Sequence, residues 1–317
     1  MPILPCSGLL AGLLAQRWLQ ALSQLMPRLP RPCSRLLPLL LPLLFAGCAL
    51  DSAGLFRQLA ADSPGFQVLR SGDNPPLQAL LRPGRERLWV IIEGDGLAWL
   101  DRHTPSPDPT PPRPRDAVGW RLSQTLAANR EHAGDAILYL SRPCQFLDDA
   151  ARRPCQPESW THARFGAPVL ARLNAAMDQA RQVMGPQAPT RLILAGYSGG
   201  GVLAALLAVR RPDCVGLLTV AAPLDHAAWT RHHQISPLDA SLSLRPDLAR
   251  LARIPQLHLS GGRDEVVPAT LTAAFLREFP SGAPARQRVF PELDHRWLTE
   301  TDLADLLPPS PARAPRP

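Results

Sequence analysis

Five short stretches of the chain are apolar without alternating: Leu88-Trp89-Val90-Ile91-Ile92, Ala136 to Leu140, Arg191-Leu192-Ile193-Leu194-Ala195, Val215 to Val220 and Pro255 to Leu259. A strand with water on one side alternates apolar and polar residues, whereas a parallel strand covered on both faces does not. Between these runs lie segments of helical period, at Ala117 to Asn129, Pro168 to Met184, Gly201 to Val209 and Ala269 to Phe279. Repeated strand-then-helix order predicts an α/β fold, a mostly parallel central sheet with helices on both faces. Gln67 to Arg70 and Leu77 to Leu81 are expected to add an antiparallel hairpin before it, and Gln287 to Phe290 a last strand. At 45% hydrophobic and 19% charged residues the chain can fill the core such a sheet requires.

Two stretches resist this pattern. Pro105 to Pro114 (PSPDPTPPRP) can hold neither a helix nor a central strand and is expected to be an extended loop beside the end of the first core strand. Residues 222–254 contain no convincing strand and are expected to form a small cap or long loops over a site, with Trp229 and Trp160 as candidates for its rim. The remaining boundaries follow: a lead-in and hairpin over 48–87, one domain over 88–307, and a Pro-rich tail at 308–317 expected to be disordered.

The amino terminus has a different character. From Met26 the chain reads MPRLPRPCSRLLPLLLPLLFAGCA, an Arg-bearing stretch, an apolar run too short to span a bilayer, then small residues. Residues 1–47 are therefore expected to be a signal peptide, with Met26 the true start. The ending Leu44-Phe45-Ala46-Gly47-Cys48 resembles the bacterial lipobox, which implies cleavage before Cys48 and its acylation; otherwise the protein is secreted after cleavage nearby. Ala49 behind the cysteine implies an outer-membrane anchor facing the periplasm. The lipid would be the membrane contact.

Export also governs the cysteines, because disulfides persist in the periplasm. With Cys6, Cys33 and Cys48 assigned to the leader and the anchor, Cys144, Cys155 and Cys214 remain, one pair and one spare. Cys144 and Cys155 flank the short polar segment QFLDDAARRP and are the expected bridge. No CxxC or His pair at ligand spacing supports metal, and no cofactor is expected. All 34 basic residues are Arg, against 27 acids. Residues 1–47 hold four of them and the tail two, so 48–307 carry 28 basic against 27 acidic groups. That balance, with no aromatic-basic stripe, argues against a nucleic-acid partner.

Chemistry concentrates at Gly196-Tyr197-Ser198-Gly199-Gly200, a G-x-S-x-G between a predicted strand and a small-residue helix. In that setting Ser198 is a candidate nucleophile, and the amide of Gly199 at the helix amino terminus a candidate oxyanion donor. A serine hydroxyl needs a base, and the base an orienting acid. Asp264 follows the strand Pro255 to Leu259, with Glu265 as its competitor, and His295 follows Gln287 to Phe290. His103, His132 and His162 read as ordinary structural or exposed histidines. After the first core strand comes Ile92-Glu93-Gly94-Asp95-Gly96, whose Asp95 amide is the candidate second donor. The two acids there either disfavour anionic substrates or pair internally with Arg142 or Arg102.

With these elements in order, residues from about Leu88 to Trp297 resemble the α/β-hydrolase superfamily. EGDG-x-AW, Y-L-x-RPCQ, WT-x-x-RF, GYSGGG and W-x-x-HH-x-ISPL are similar to a group of exported bacterial hydrolase-fold proteins. Glu93 stands where many of these hydrolases carry His. The resemblance implies an acyl-enzyme mechanism on a small-molecule acyl substrate, without fixing which. A carboxylic ester is the leading expectation. A prolyl-oligopeptidase-like serine peptidase and a non-catalytic envelope binding lipoprotein on the same fold are the alternatives.

Overall fold

The computed structural model describes residues 51–296 except Asp73 and Arg102. The expected signal peptide, Met26, Cys48, Trp297 and the 308–317 tail lie outside the described residues. The chain opens on helix α1 (Ser52–Ala61), followed by the hairpin β1 (Gln67–Ser71) and β2 (Leu77–Arg82). Then come β3 (Leu88–Ile92), α2 (Val118–Ala128), β4 (Ala136–Leu140), a short α3 (Asp149–Arg152) and the long α4 (Ala167–Met184). β5 (Leu192–Tyr197), α5 (Gly199–Ala208) and β6 (Cys214–Val220) form the centre. α6 (His226–His233), α7 (Leu248–Leu251), β7 (Gln256–Gly261), α8 (Ala269–Leu276) and β8 (Ala285–Phe290) complete it.

The eight strands form one sheet in the order β1-β2-β4-β3-β5-β6-β7-β8. The β1–β2 and β2–β4 pairs are antiparallel, and every pair from β4 through β8 is parallel. β3 shows why its sequence does not alternate. Leu88, Val90 and Ile92 join one core cluster with residues of α4 and α5, while Trp89 and Ile91 join another with Val118, Leu122 and Leu126 of α2. Successive side chains point to opposite faces, and both faces are covered. α5 is buried at all ten positions, as its uniformly small and apolar sequence requires. α1 packs Leu55, Phe56 and Leu59 against Leu80, Trp120, Tyr139 and Phe146.

β5 runs two residues beyond the apolar stretch that announces it. Gly196 pairs with Ile92 and Thr219, and Tyr197 with Val220, so neighbouring strands recruit the first two residues of the G-x-S-x-G segment into the sheet against the low strand propensity of glycine. Residues 222–254 hold α6 and α7; Leu238, Leu244 and Leu251 join the main core, and Trp229 alone of the two expected rim tryptophans reaches the cleft described below. Trp160 does not: it is buried, donates its indole N–H to the Ser106 carbonyl at 3.1 Å and packs with Ala98 beside the cysteines. A bulky ring beside a buried bridge is more stable packed than lining solvent. Cys144 and Cys155 are bonded, with Cα atoms 6.0 Å apart, and Cys214 is free.

Candidate active site

Strand order places the site. The chain leaves β3 for β4 on one side and reaches β5 on the other, so the turns after β3 and β5 diverge at the carboxyl edge of the sheet, where a crevice opens. Because Ile92 pairs with Gly196, the turns that follow them emerge side by side.

Ser198 sits at the sharp turn between β5 and α5 with φ 50° and ψ −124°, a conformation L residues rarely adopt. Its neighbours must be small. A Cβ on Gly196 would fall on the Gly200 carbonyl, and one on Gly200 on the carbonyls of Ile92 and Glu93. The Ser198 amide donates to the Val220 carbonyl at 2.8 Å, tying the turn to β6.

His295 and Asp264 meet Ser198 from the two last strand ends. His295 Nε2 lies 3.2 Å from Ser198 Oγ, and its Nδ1 lies 2.9 Å from Asp264 Oδ2. Asp264 is fixed in turn: its Oδ1 accepts the amides of Val266 at 2.9 Å and Val267 at 2.7 Å, leaving Oδ2 for the imidazole. Glu265, on the same turn, is exposed. With Nδ1 directed at a carboxylate, Nε2 is left to accept a proton. The structure brings together all three residues that the order of the sequence nominates.

Asp95 pairs with two arginines, Arg142 Nη1 at 2.5 Å and Arg164 Nη1 at 2.7 Å. Burial alone would raise its carboxyl pKa; the guanidiniums of Arg164 and Arg142 outweigh that and hold it below the ordinary value. Glu93 is buried and caps α2, accepting the amides of Gly119 and Trp120 at 3.1 Å each, with the Gly94 amide at 2.9 Å and the Tyr139 hydroxyl at 3.0 Å. Burial dominates and raises its pKa, with those four donors pulling it back. Neither carboxylate is therefore a free charge at the mouth. Internal pairing holds for Asp95 through Arg142, and Arg102 lies outside the described residues. Among the described residues no protein acceptor meets the amides of Asp95 or Gly199.

These groups open into a cleft of about 420 Å³. Its walls are mostly apolar, with Leu97, Trp99, Pro111, Pro112, Trp229 and Val266 around Ser198 and His295. The Pro-rich loop thus supplies one wall. His132 is buried against Asp135 at 3.0 Å, with Arg87 on the same carboxylate, away from the cleft. No cluster of side chains suited to a metal occurs among the described residues.

The sequence does not single out three participants. Tyr197 donates its hydroxyl to the His295 carbonyl at 2.7 Å, and burial raises its pKa well above the ordinary phenol value. Arg164 reaches Asp95 from 69 residues away. Gln145 donates to the Gly94 carbonyl at 3.0 Å. Tyr197 stands inside the G-x-S-x-G motif, Gln145 inside RPCQ and Arg164 inside WT-x-x-RF, but none of these stretches names a partner.

No protein-family model matches the chain, and no curated protein matches it. Solved structures do. The chain is similar to Est1E from Butyrivibrio proteoclasticus at 16% identity over 75% of this chain and 96% of that one, with a TM-score of 0.50. It is also similar to the esterase domain of a Rhodothermus marinus protein, at 14% identity over 76% and 94% with a TM-score of 0.49. An α/β serine hydrolase without a lid from Xanthomonas campestris matches at 15% identity over 77% and 91%, with a TM-score of 0.46. At 16% identity the likeness to Est1E speaks to architecture, and with the eight-stranded order, the mostly parallel sheet and helices on both faces it gives the conclusion: the chain has the α/β-hydrolase fold.

Proposed function

We propose that the protein is a serine hydrolase that cleaves a carboxylic ester through an acyl-enzyme. The observation that carries this reading is the alignment of Ser198 Oγ, His295 and Asp264 at 3.2 and 2.9 Å. Ser198 Oγ attacks the acyl carbonyl while its proton passes to His295 Nε2, and the amides of Asp95 and Gly199 hold the resulting oxyanion. Collapse breaks the ester bond, and the departing alkoxide takes the proton from His295. Water then attacks the acyl-Ser198, gives a proton to His295 and releases the acid, after which the proton returns to Ser198. Asp264 orients the imidazole and stabilises its charged form.

The mostly apolar walls around Ser198 favour an uncharged acyl group, and of the charged groups that also line the cleft Asp95 and Glu93 are bonded internally and Arg113 pairs with Asp116. In the same reading the enzyme is exported, with Cys48 acylated and anchored in the outer membrane on its periplasmic side; the sequence of residues 26–48 supports this. Hydrolysis of a series of p-nitrophenyl esters by the purified protein tests the activity. Turnover that Ser198→Ala abolishes while the protein stays folded is expected. A folded protein inert toward esters and aminoacyl amides alike would favour a binding role instead. Metabolic labelling with a palmitate analogue, lost in Cys48→Ser, tests the anchor.

A further inference from the structure

The arginines on either side of the loop closed by the Cys144–Cys155 bond converge on Asp95. Each oxygen of the Asp95 carboxylate has its own guanidinium, Oδ1 that of Arg142 and Oδ2 that of Arg164. Both arginines are anchored elsewhere, Arg142 Nη2 on the Arg164 carbonyl at 2.6 Å and Arg164 Nε on the Thr161 carbonyl at 2.6 Å. Gln145 from the same loop accepts the Arg142 amide at 3.0 Å and donates to the carbonyls of Gly94 and Pro109 at 3.0 and 3.1 Å. Cys144 and Phe146 take φ of 72° and 59°. Two non-glycine residues in that region persist only where their surroundings hold them.

What these two arginines grip is a carboxylate pressed against the turn that carries Ser198: a Cβ added at Gly199 would fall on the Asp95 carboxylate. Standing alone there, that charge would repel an oxyanion forming at the Asp95 and Gly199 amides. With Arg142 and Arg164 in place, the formal charge of the group changes from −1 to +1. Both arginines are nearly excluded from solvent, with side chains 4% and 7% exposed, so water screens them little.

We propose that Arg142 and Arg164 are positioning residues for the oxyanion, resting on the hydrolase reading above. They fix Asp95 so that its amide faces the forming negative charge, and they reverse the sign of the charge beside it. The disulfide-closed loop lies between them in the chain, and its Gln145 ties the Arg142 amide to the Gly94 carbonyl beside Asp95.

The test uses the full chain with a p-nitrophenyl ester and an aryl trifluoromethyl ketone, which adds Ser198 Oγ to its carbonyl and leaves an oxyanion. For Arg164→Gln, kcat is expected to fall about 10- to 100-fold with KM nearly unchanged, and the ketone to bind more weakly by a similar factor. Arg164→Lys, which restores the charge without the fork, is expected to recover part of both. A folded Arg164→Gln with wild-type kcat, a loss confined to KM, or a loss of kcat with unchanged ketone affinity would overturn the proposal. Should Arg164→Gln fail to fold, the triple variant Asp95→Asn, Arg142→Gln, Arg164→Gln removes the charged cluster without leaving a buried charge unpaired. That variant is expected to fold and still lose kcat and ketone affinity together, and wild-type values in it would overturn the proposal. A wild-type protein inert toward both ester and ketone overturns the hydrolase reading itself.

Discussion

The Tyr197 hydroxyl donates to the main-chain carbonyl of His295 at 2.7 Å, so the residue preceding Ser198 holds in place the loop that carries the imidazole. The two rings also lie 5.2 Å apart. Strand β5 thereby sets both partners of the proposed proton transfer, although 97 residues separate them in the chain. Removing the hydroxyl removes one partly buried hydrogen bond, worth about 1 kcal/mol. Tyr197→Phe is expected to lower kcat roughly fivefold to tenfold with KM little changed. Steady-state kinetics on a p-nitrophenyl ester check it.

Asp264 differs from Glu265 in what it touches. Its two oxygens are divided between a pair of amides and the imidazole, while Glu265 is exposed. Asp264→Asn offers an N–H where His295 Nδ1 needs an acceptor and favours the wrong tautomer, and kcat is expected to fall by about three to four orders of magnitude. Glu265→Gln is expected to leave kcat within about twofold. Equal losses in the two variants would reassign the acid.

The Cys144–Cys155 bond closes a segment with a sequence separation of 11. In the chain-entropy account a loop of that length stabilises the fold by about 3 kcal/mol. The double variant Cys144→Ser, Cys155→Ser is expected to lose about that much in urea denaturation followed by circular dichroism.

His258 gives the fold an acid limit. It is fully buried, with Nδ1 2.7 Å from the Thr219 hydroxyl and Nε2 3.0 Å from Gln256 Oε1, and burial lowers its pKa to about 3. An imidazole in the unfolded chain titrates near 6.5. Between those values the unfolded state binds a proton that the folded state does not. The contribution of His258 is therefore fully present above about pH 6.5 and is lost as pH falls toward 3, at up to roughly 1.4 kcal/mol per pH unit. His258→Gln, which cannot titrate, is expected to flatten this part of the stability curve. Urea midpoints measured from pH 7 to pH 4 on both proteins read the difference.

Much of this arrangement is legible in the sequence because it is local. A strand buried on both faces announces itself in five consecutive residues, and β3 and β4 begin and end where their apolar runs do. Ser198, Asp264 and His295 each follow a strand, so chain order alone nominates them. What stays hidden is long-range. Arg164 meets Asp95 across 69 residues, and although WT-x-x-RF contains it, nothing in that stretch names its partner. Trp160 and Trp229 look alike as letters, yet one is buried beside the cysteines and the other lines the cleft. The roles of Glu93 and Asp95 likewise depend on partners 26 to 69 residues away.

In the proposed mechanism Ser198 is a nucleophile activated by His295. Reaction of the purified protein with a fluorophosphonate, followed by mass mapping of the modified peptide, tests this. Stoichiometric modification of Ser198, abolished in Ser198→Ala and strongly slowed in His295→Ala, is the predicted result. A folded protein that remains unmodified at Ser198, under conditions that fully label a known serine hydrolase, would contradict the account.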